Sequence, residues 1–453
     1  MGIWKRLFGK QNPTADYPLP ESNPEPLPQP DIVFGHYSDV NKSGESLKKW
    51  HEAAERFQEK EYSASLTALL HYLNNRNGNA AEVRNLGTRL EFTLFQGSAE
   101  INGFFDGASI QAQCLLATFD SPPIAAMNRL LNDNYMLRYT KFGIKENSLI
   151  LFFRSPAKEN SPDKLYHAFR EICLKADQYD DLLLHEFEGI YKPPGNNATI
   201  LQIPSAEAEV KWEAWNMWLS QTLDFVRKQD RQAYSGIITY ALLNLIYKTD
   251  YLLSVQGCLL NELSRIQYIY WDKNDGLTNI EKNEEIIREL SKLANQPKAF
   301  FTDCFYRVRS VFGLVTATDI GTIREYIAEC LKNTDWYVQN KQPEMELIIY
   351  EYTITYSLFH FGLFPAQYRL FHLQLMILNA DYFVQLGFEV PFIQNGVINR
   401  EALSREIGQI ISEESQQYPG MAFQIQNLKF DSLVDFHYSF LHEIRALHFS
   451  PKA

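Results

Sequence analysis

Between residues 88 and 170, apolar and polar positions alternate in short runs separated by turn residues, a pattern that predicts a small α/β unit. Leu90, Phe92 and Leu94 recur at every second position, as on a strand covered on one side, and Phe95 falls on the other, polar face. Asp106-Gly107 separates two further strand-like runs and reads as a hairpin turn. The run that follows sets Ile110, Ala112, Cys114 and Leu116 on one face against Gln111 and Gln113 on the other. Ser121 then stands as an N-cap before Pro122-Pro123, opening a helix whose apolar positions are Ile124, Met127, Leu130 and Leu131. Residues 135–142 and 149–153 are read as a strand pair turning at Lys145-Glu146-Asn147. The second of them, Leu149 to Phe153, is apolar at every position, so it calls for cover on both faces. Helices of the same domain supply one cover; the C-terminal half or a partner supplies the other. Ile150 and Phe152, with Phe95, are therefore the candidate partner-binding residues.

Around this unit the pattern is helical. Ser43 starts a run with Leu47, Trp50, Ala54 and Phe57 at helical spacing, and Leu66, Leu69, Leu70 and Leu73 follow, as a second helix or as the far end of one bent helix. Ser161-Pro162 opens another, with Leu165, Phe169, Ile172 and Cys173 inward and an end near Tyr179. Residues 188–206 hold the turn-rich Pro193-Pro194-Gly195 and read as a linker, with one short strand over 198–203. Beyond them nearly everything reads as helix: an apolar pattern over 237–266, then helices at 279–293, 319–332, 344–362, 365–386, 399–416 and 431–447. No fixed period recurs, which favours an irregular all-α domain over a solenoid. The fold class expected is α+β. Residues 1–42 form a disordered N-terminus and Pro-rich tether, 43–187 an α/β domain with an antiparallel sheet, 188–206 the linker and 207–453 an all-α domain.

The order helix, three strands, helix, two strands, helix resembles the YbjN-like and type III secretion chaperone superfamily over residues 43–184. Met127, Leu130 and Leu131 ahead of Asn132-Asp133, the stretch 137–142, and the hairpin into 149–153 carry the likeness. The resemblance implies a chaperone-like domain that binds other proteins, often as a dimer, without catalysis. The long helical half is a departure from a stand-alone secretion chaperone.

Composition narrows the partners. A net charge of −12 with no dense basic run argues against nucleic acid. Residues 11–30 carry seven prolines and suit an extended spacer. The first ten residues mix apolar and basic side chains but lack the apolar core of a secretory signal. The most apolar stretch, 347–364, contains Glu351 and His360, so stable membrane insertion is not expected. Five cysteines are scattered with no CxxC pair, which predicts reduced thiols in a cytoplasmic protein rather than a zinc site or disulfide framework.

Candidate chemistry is sparse. Nucleotide loops, zinc-helix motifs and nucleophile elbows do not occur, so no catalytic, cofactor-binding or metal-ligating residue is named. The nearest cluster is Asp435, His437, His442, Glu443 and His448; its first two histidines are five apart, about 140° around a helix, and do not share a face. His360 and His372 fall on neighbouring helices, and Glu346 or Glu351 is a candidate ion-pair partner for Arg369. Tyr268, Tyr270, Trp271, Tyr350, Tyr352 and Tyr356 suit core packing or a groove. The expected function is a cytoplasmic protein-binding, chaperone- or adaptor-like module, with a protein client or a second copy as partner. The alternative is an enzyme or small-ligand binder with a pocket in the helical domain, drawing on His360, His372 or the C-terminal histidines.

Overall fold

A computed structural model describes residues 30–40, 42–74, 80–87, 89–194, 200–394 and 397–449. The N-terminal ten residues and nearly all of the Pro-rich stretch lie outside them.

Ser43 caps helix α1 (Gly44–Gln58), its hydroxyl accepting from the Ser46 amide. The chain then breaks at Lys60, which adopts φ 64°, so α2 (Tyr62–Leu73) is a separate helix rather than the bent end of the first. Leu66, Leu69, Leu70 and Leu73 are buried as the pattern requires, but Leu47 is exposed. Small residues take its place: the Ser65 hydroxyl donates to the Ala53 carbonyl at 2.7 Å, which lets the two helices approach closely.

The sheet is antiparallel, in the order β1-β2-β3-β4-β6-β5. Its strands are β1 (Ala81–Asn85), β2 (Leu90–Gly97), β3 (Ala99–Phe105), β4 (Ser109–Phe119), β5 (Lys141–Lys145) and β6 (Ser148–Pro156). The turn at Asp106-Gly107 forms as expected, with Gly107 at φ 88° and the Asp106 carboxylate accepting from the Ala108 and Ser109 amides. β1 has little apolar pattern of its own and exists through its pairing with β2.

Two expectations shift. Ser121 does not cap α3 (Ile124–Asp133), which starts directly after Pro123 and turns Ala126 and Leu130 inward, leaving Ile124 and Leu131 exposed. The strand expected over 135–142 begins only at Lys141. Glu171 is the reason: its carboxylate accepts from the amides of Arg138, Tyr139 and Thr140 at 2.8–2.9 Å and from the Thr140 hydroxyl at 2.7 Å. Those amides are then not free to join a strand ladder. Helix α4 (Pro162–Glu186) starts at Ser161 as read but runs past Tyr179, and its Leu165, Phe169, Ile172, Ala176 and Leu183 fill the inner face of the sheet.

The helical half has its own core. It comprises α5 (Ser205–Lys228), α6 (Ser235–Leu253), α7 (Gly257–Trp271), α8 (Asn279–Ala294), α9 (Lys298–Thr302), α10 (Ile320–Asn333), α11 (Asp335–Gln339), α12 (Pro343–His360), α13 (Pro365–Leu378), α14 (Ala380–Gln385), α15 (Arg400–Ser415) and α16 (Leu433–Ala446). Helix α6 is buried on nearly every side, as a central helix must be. The apolar pattern over 237–266 is cut in two by Ser254 at φ 51° and Gly257 at φ 59°.

Two segments join the halves. β7 (Ile190–Tyr191) closes on β4, and β8 (Leu201–Gln202) pairs with β9 (Tyr306–Arg307). β10 (Arg309–Ser310) then pairs with the end of β2, and Val311 and Phe312 enter the core of the α/β half. From the other direction, residues 30–40 lie along the helical half. Phe34 enters the helical core, Gly35 N–H donates to the Tyr251 carbonyl at 2.8 Å, and Asp39 accepts from both Gly313 N–H and the Tyr166 hydroxyl.

Candidate functional site

On β6 the two faces part company. Leu149, Leu151 and Phe153 are core residues, whereas Ile150 and Phe152 point to the outer face. Phe152 is 38 % exposed and Ile150 9 %. The register shows what surrounds them. Ile150 lies between Leu115 and Gly143, and Phe152 between Gln113 and Lys141. The Phe152 ring leans over Gly143, where an added Cβ would come within 3.1 Å of it. Lys145 and Arg154 continue the same face, both exposed, and neither forms an ion pair among the described residues. The result is a short apolar row, Leu115, Ile150 and Phe152, with basic side chains at its rim.

Phe95 does not belong to this surface. It lies on the same sheet face, but Arg309 places its guanidinium 3.5 Å from the ring centroid and leaves it 5 % exposed. The helical half covers the β2 end of the outer face, not the β6 end. Among the described residues the double cover expected for β6 is therefore incomplete on one side.

A large concavity lies between the halves rather than inside the helical one. It is a cleft of about 1690 Å³, bordered by residues 31–40, the end of β2, α4, α5, α6 and the β9–β10 segment. Its wall mixes apolar surface with charged groups of both signs. His36 Nε2 meets Asp250 Oδ1 at 2.9 Å; burial alone would lower this histidine, but attraction to Asp250 and the hydrogen bond outweigh it and hold the imidazole above its ordinary pKa. Lys211 and Glu207, both buried, pair at 3.0 Å. Beside them Asp177, Asp180 and Asp181 share one face of α4 and converge on Ser98. The Ser98 hydroxyl has one proton for three nearby carboxyl groups. Burial raises all three, and repulsion from Asp181 adds to it at Asp177, which reaches about 7, and at Asp180, where Asp177 contributes as well. Gly97 makes the approach possible: at φ 56°, any Cβ there would overlap the Asp177 carboxylate.

The histidines do not form a shared site. His360 bonds to the Tyr247 hydroxyl and His372 to the Tyr251 hydroxyl, so each meets a different tyrosine of α6. Burial pushes both down to about 4, leaving neutral rings at neutral pH. The C-terminal cluster is also dispersed. Asp435 bonds to its N-cap Ser432, Glu443 holds the Gln424 amide and Asn427, His448 contacts Arg324, and His437 is sealed in the core. Glu351 pairs with Lys248 instead of Arg369, which pairs with Glu413, while Glu346 makes no ion pair among the described residues. Tyr350, Tyr352 and Tyr356 pack in or against the helical core, and Trp271 donates to Tyr247; of the six aromatics only Tyr268 is exposed.

Among the described residues no group of three or more His, Cys, Asp or Glu is placed to hold a metal ion, and no helix is long and apolar enough to cross a membrane. Comparison with protein-family models and with curated proteins finds no match to this chain. Two clusters escaped the reading of the sequence. The Asp177, Asp180, Asp181 spacing was visible as one helical face, but its convergence on Ser98 was not. Cys258 and Cys304, 46 positions apart, meet with their sulfurs 3.1 Å apart, and nothing in that spacing announces a pair.

Proposed function

We propose that the chain is a non-catalytic, cytoplasmic protein-binding or adaptor module, and that its partner offers an acidic segment with apolar side chains to the outer face at β6. The observation that carries this reading is the outer-face row in which Leu115 and Phe152 are exposed and Ile150 lies buried between them, rimmed by Lys141, Lys145 and Arg154. Apolar contacts at the centre supply affinity, and the basic rim steers an acidic partner and sets its register. That rim is a local excess of positive charge on a chain whose net charge is −12. A two-fold dimer through this face would bring basic rims together, which favours a different protein over a second copy.

Synthetic peptides of alternating apolar residues flanked by either Glu or Lys, titrated by fluorescence anisotropy, test the reading. The Glu-flanked peptide should bind the wild type in a salt-sensitive manner, and Phe152→Glu should weaken it by about tenfold or more. Equal binding of the Lys-flanked peptide, or binding untouched by Phe152→Glu, refutes it. A dimer by light scattering that Phe152→Glu dissociates would reassign the face to self-association.

The cleft supports a second reading, a small-ligand site between the halves rather than within the helical one. A compound that raises the melting temperature of the wild type but not of Asp250→Asn would favour it.

A further inference from the structure

We propose that Cys258 and Cys304 are a redox modification site: a dithiol that a peroxide converts to a reversible disulfide, stapling α7 to the segment that joins the halves. The two sulfurs lie 3.1 Å apart, against a bond length of about 2.05 Å, so closing the bond asks for roughly one ångström of movement. The backbone already holds the two segments together, since Gln256 N–H donates to the Cys304 carbonyl at 2.9 Å. Gly257, in the left-handed region, turns the chain so that Cys258 enters the first turn of α7.

Access singles out the pair. Cys258 is the one cysteine of the five that is not buried, with Cys304 directly beneath it, whereas Cys114, Cys173 and Cys330 are enclosed in the two cores. The hydrogen bond between the two sulfurs lowers the Cys258 thiol and raises its partner, so the more accessible sulfur is also the readier thiolate. The chemistry balances with peroxide as the two-electron oxidant. Cys258 thiolate attacks a peroxide oxygen, the O–O bond breaks, and a sulfenic acid forms as hydroxide leaves and takes up a proton as water. Cys304 sulfur then attacks the sulfenic sulfur, the S–O bond breaks, a second water departs and the S–S bond closes. A thiol reductant returns both thiols by exchange.

The place of the pair gives the bond its consequence. Cys304 opens the stretch through Tyr306, β10, Val311 and Phe312 that reaches the sheet, and the turn before Cys258 faces Asp181 of α4 across Gly257. Oxidation would fix the joining segment to the helical half at the point where the two cores meet.

The test is a thiol titration and peptide map of the full chain after brief, graded hydrogen peroxide. Expected are the loss of two of the five free thiols, a mass lower by two hydrogens, a linked peptide pair containing Cys258 and Cys304, and full reversal by dithiothreitol. The oxidised protein should also melt at a higher temperature than the reduced one. Cys258→Ser should abolish the link, and Cys330→Ser should leave it. Five thiols surviving peroxide, a link through another cysteine, or Cys258 advancing to sulfinic acid with Cys304 still free would each overturn the proposal; the wild-type map decides even if a variant folds poorly.

Discussion

Phe95 and Phe152 point to the same face of the same sheet, yet one is covered and the other is open. The cover over Phe95 arrives from Arg309, carried on the segment that pairs with the end of β2. At that end the sheet is built into the rest of the molecule, and polar groups are buried with it: Gln96 exchanges hydrogen bonds with the Phe312 backbone, and Ser98 gathers three carboxyl groups. At the β6 end no described residue arrives. An apolar residue on the outer face is thus no measure of cover, because cover depends on a distant segment rather than on the strand.

The largest effect should come from the covered end. Asp177, Asp180 and Asp181 are held above the ordinary carboxylate range, so the folded chain keeps protons that the unfolded chain releases near pH 4. Stability contributed by these groups is greatest below that value and is lost as pH rises towards about 7, the value for Asp177. His36, raised by Asp250, works in the same direction, since its contribution fades as it deprotonates. Asp180→Asn removes one charge and leaves an acceptor for Ser98. Urea unfolding should find the variant more stable than wild type at pH 8, by on the order of 1–3 kcal/mol, with a flatter pH profile between 5 and 8. A variant less stable than wild type at pH 8 would mean that the carboxylates are satisfied as anions.

A smaller effect is expected from Arg309→Ala. It removes the guanidinium over Phe95 and a 3.6 Å contact with Glu82, while the backbone pairing of β10 with β2 can persist. A loss of about 0.5–2 kcal/mol in urea unfolding fits a partly desolvated cation–π contact. If the loss is nil, Phe95 is covered by other means and the contrast between the two ends weakens.

The sequence carried the periodic parts well and the long-range parts poorly. The alternation of Ile110 to Leu116, the Asp106-Gly107 turn, the Ser161-Pro162 helix start and the change to a mainly helical half are local signals and were legible, whereas the short strands β9 and β10 within that half were not. The late start of β5 was not, because it depends on Glu171 claiming three amides from another element. Nor was the separation of His360 from His372, since α6 supplies a tyrosine to each ring. Of the candidate binding residues, Ile150 and Phe152 were legible as outward positions of an apolar strand. The loss of Phe95 required knowing where Arg309 would land.

The smallest effect on stability should be Phe152→Ser, and its smallness is the point. The ring is already 38 % exposed and rests on Gly143 rather than on a second layer of core. Removing it forfeits the contact with Gly143 and the open surface of β5, so the cost in urea unfolding should stay near or below about 1 kcal/mol. A core phenylalanine truncated to alanine costs about 3–5 kcal/mol, and Phe153, its inward neighbour on the same strand, provides that reference. If Phe152→Ser instead falls near the core value, the outer face at β6 is packed in solution by something that contributes to folding. The open end would then resemble the covered one, with a second copy of the chain the first occupant to look for by light scattering.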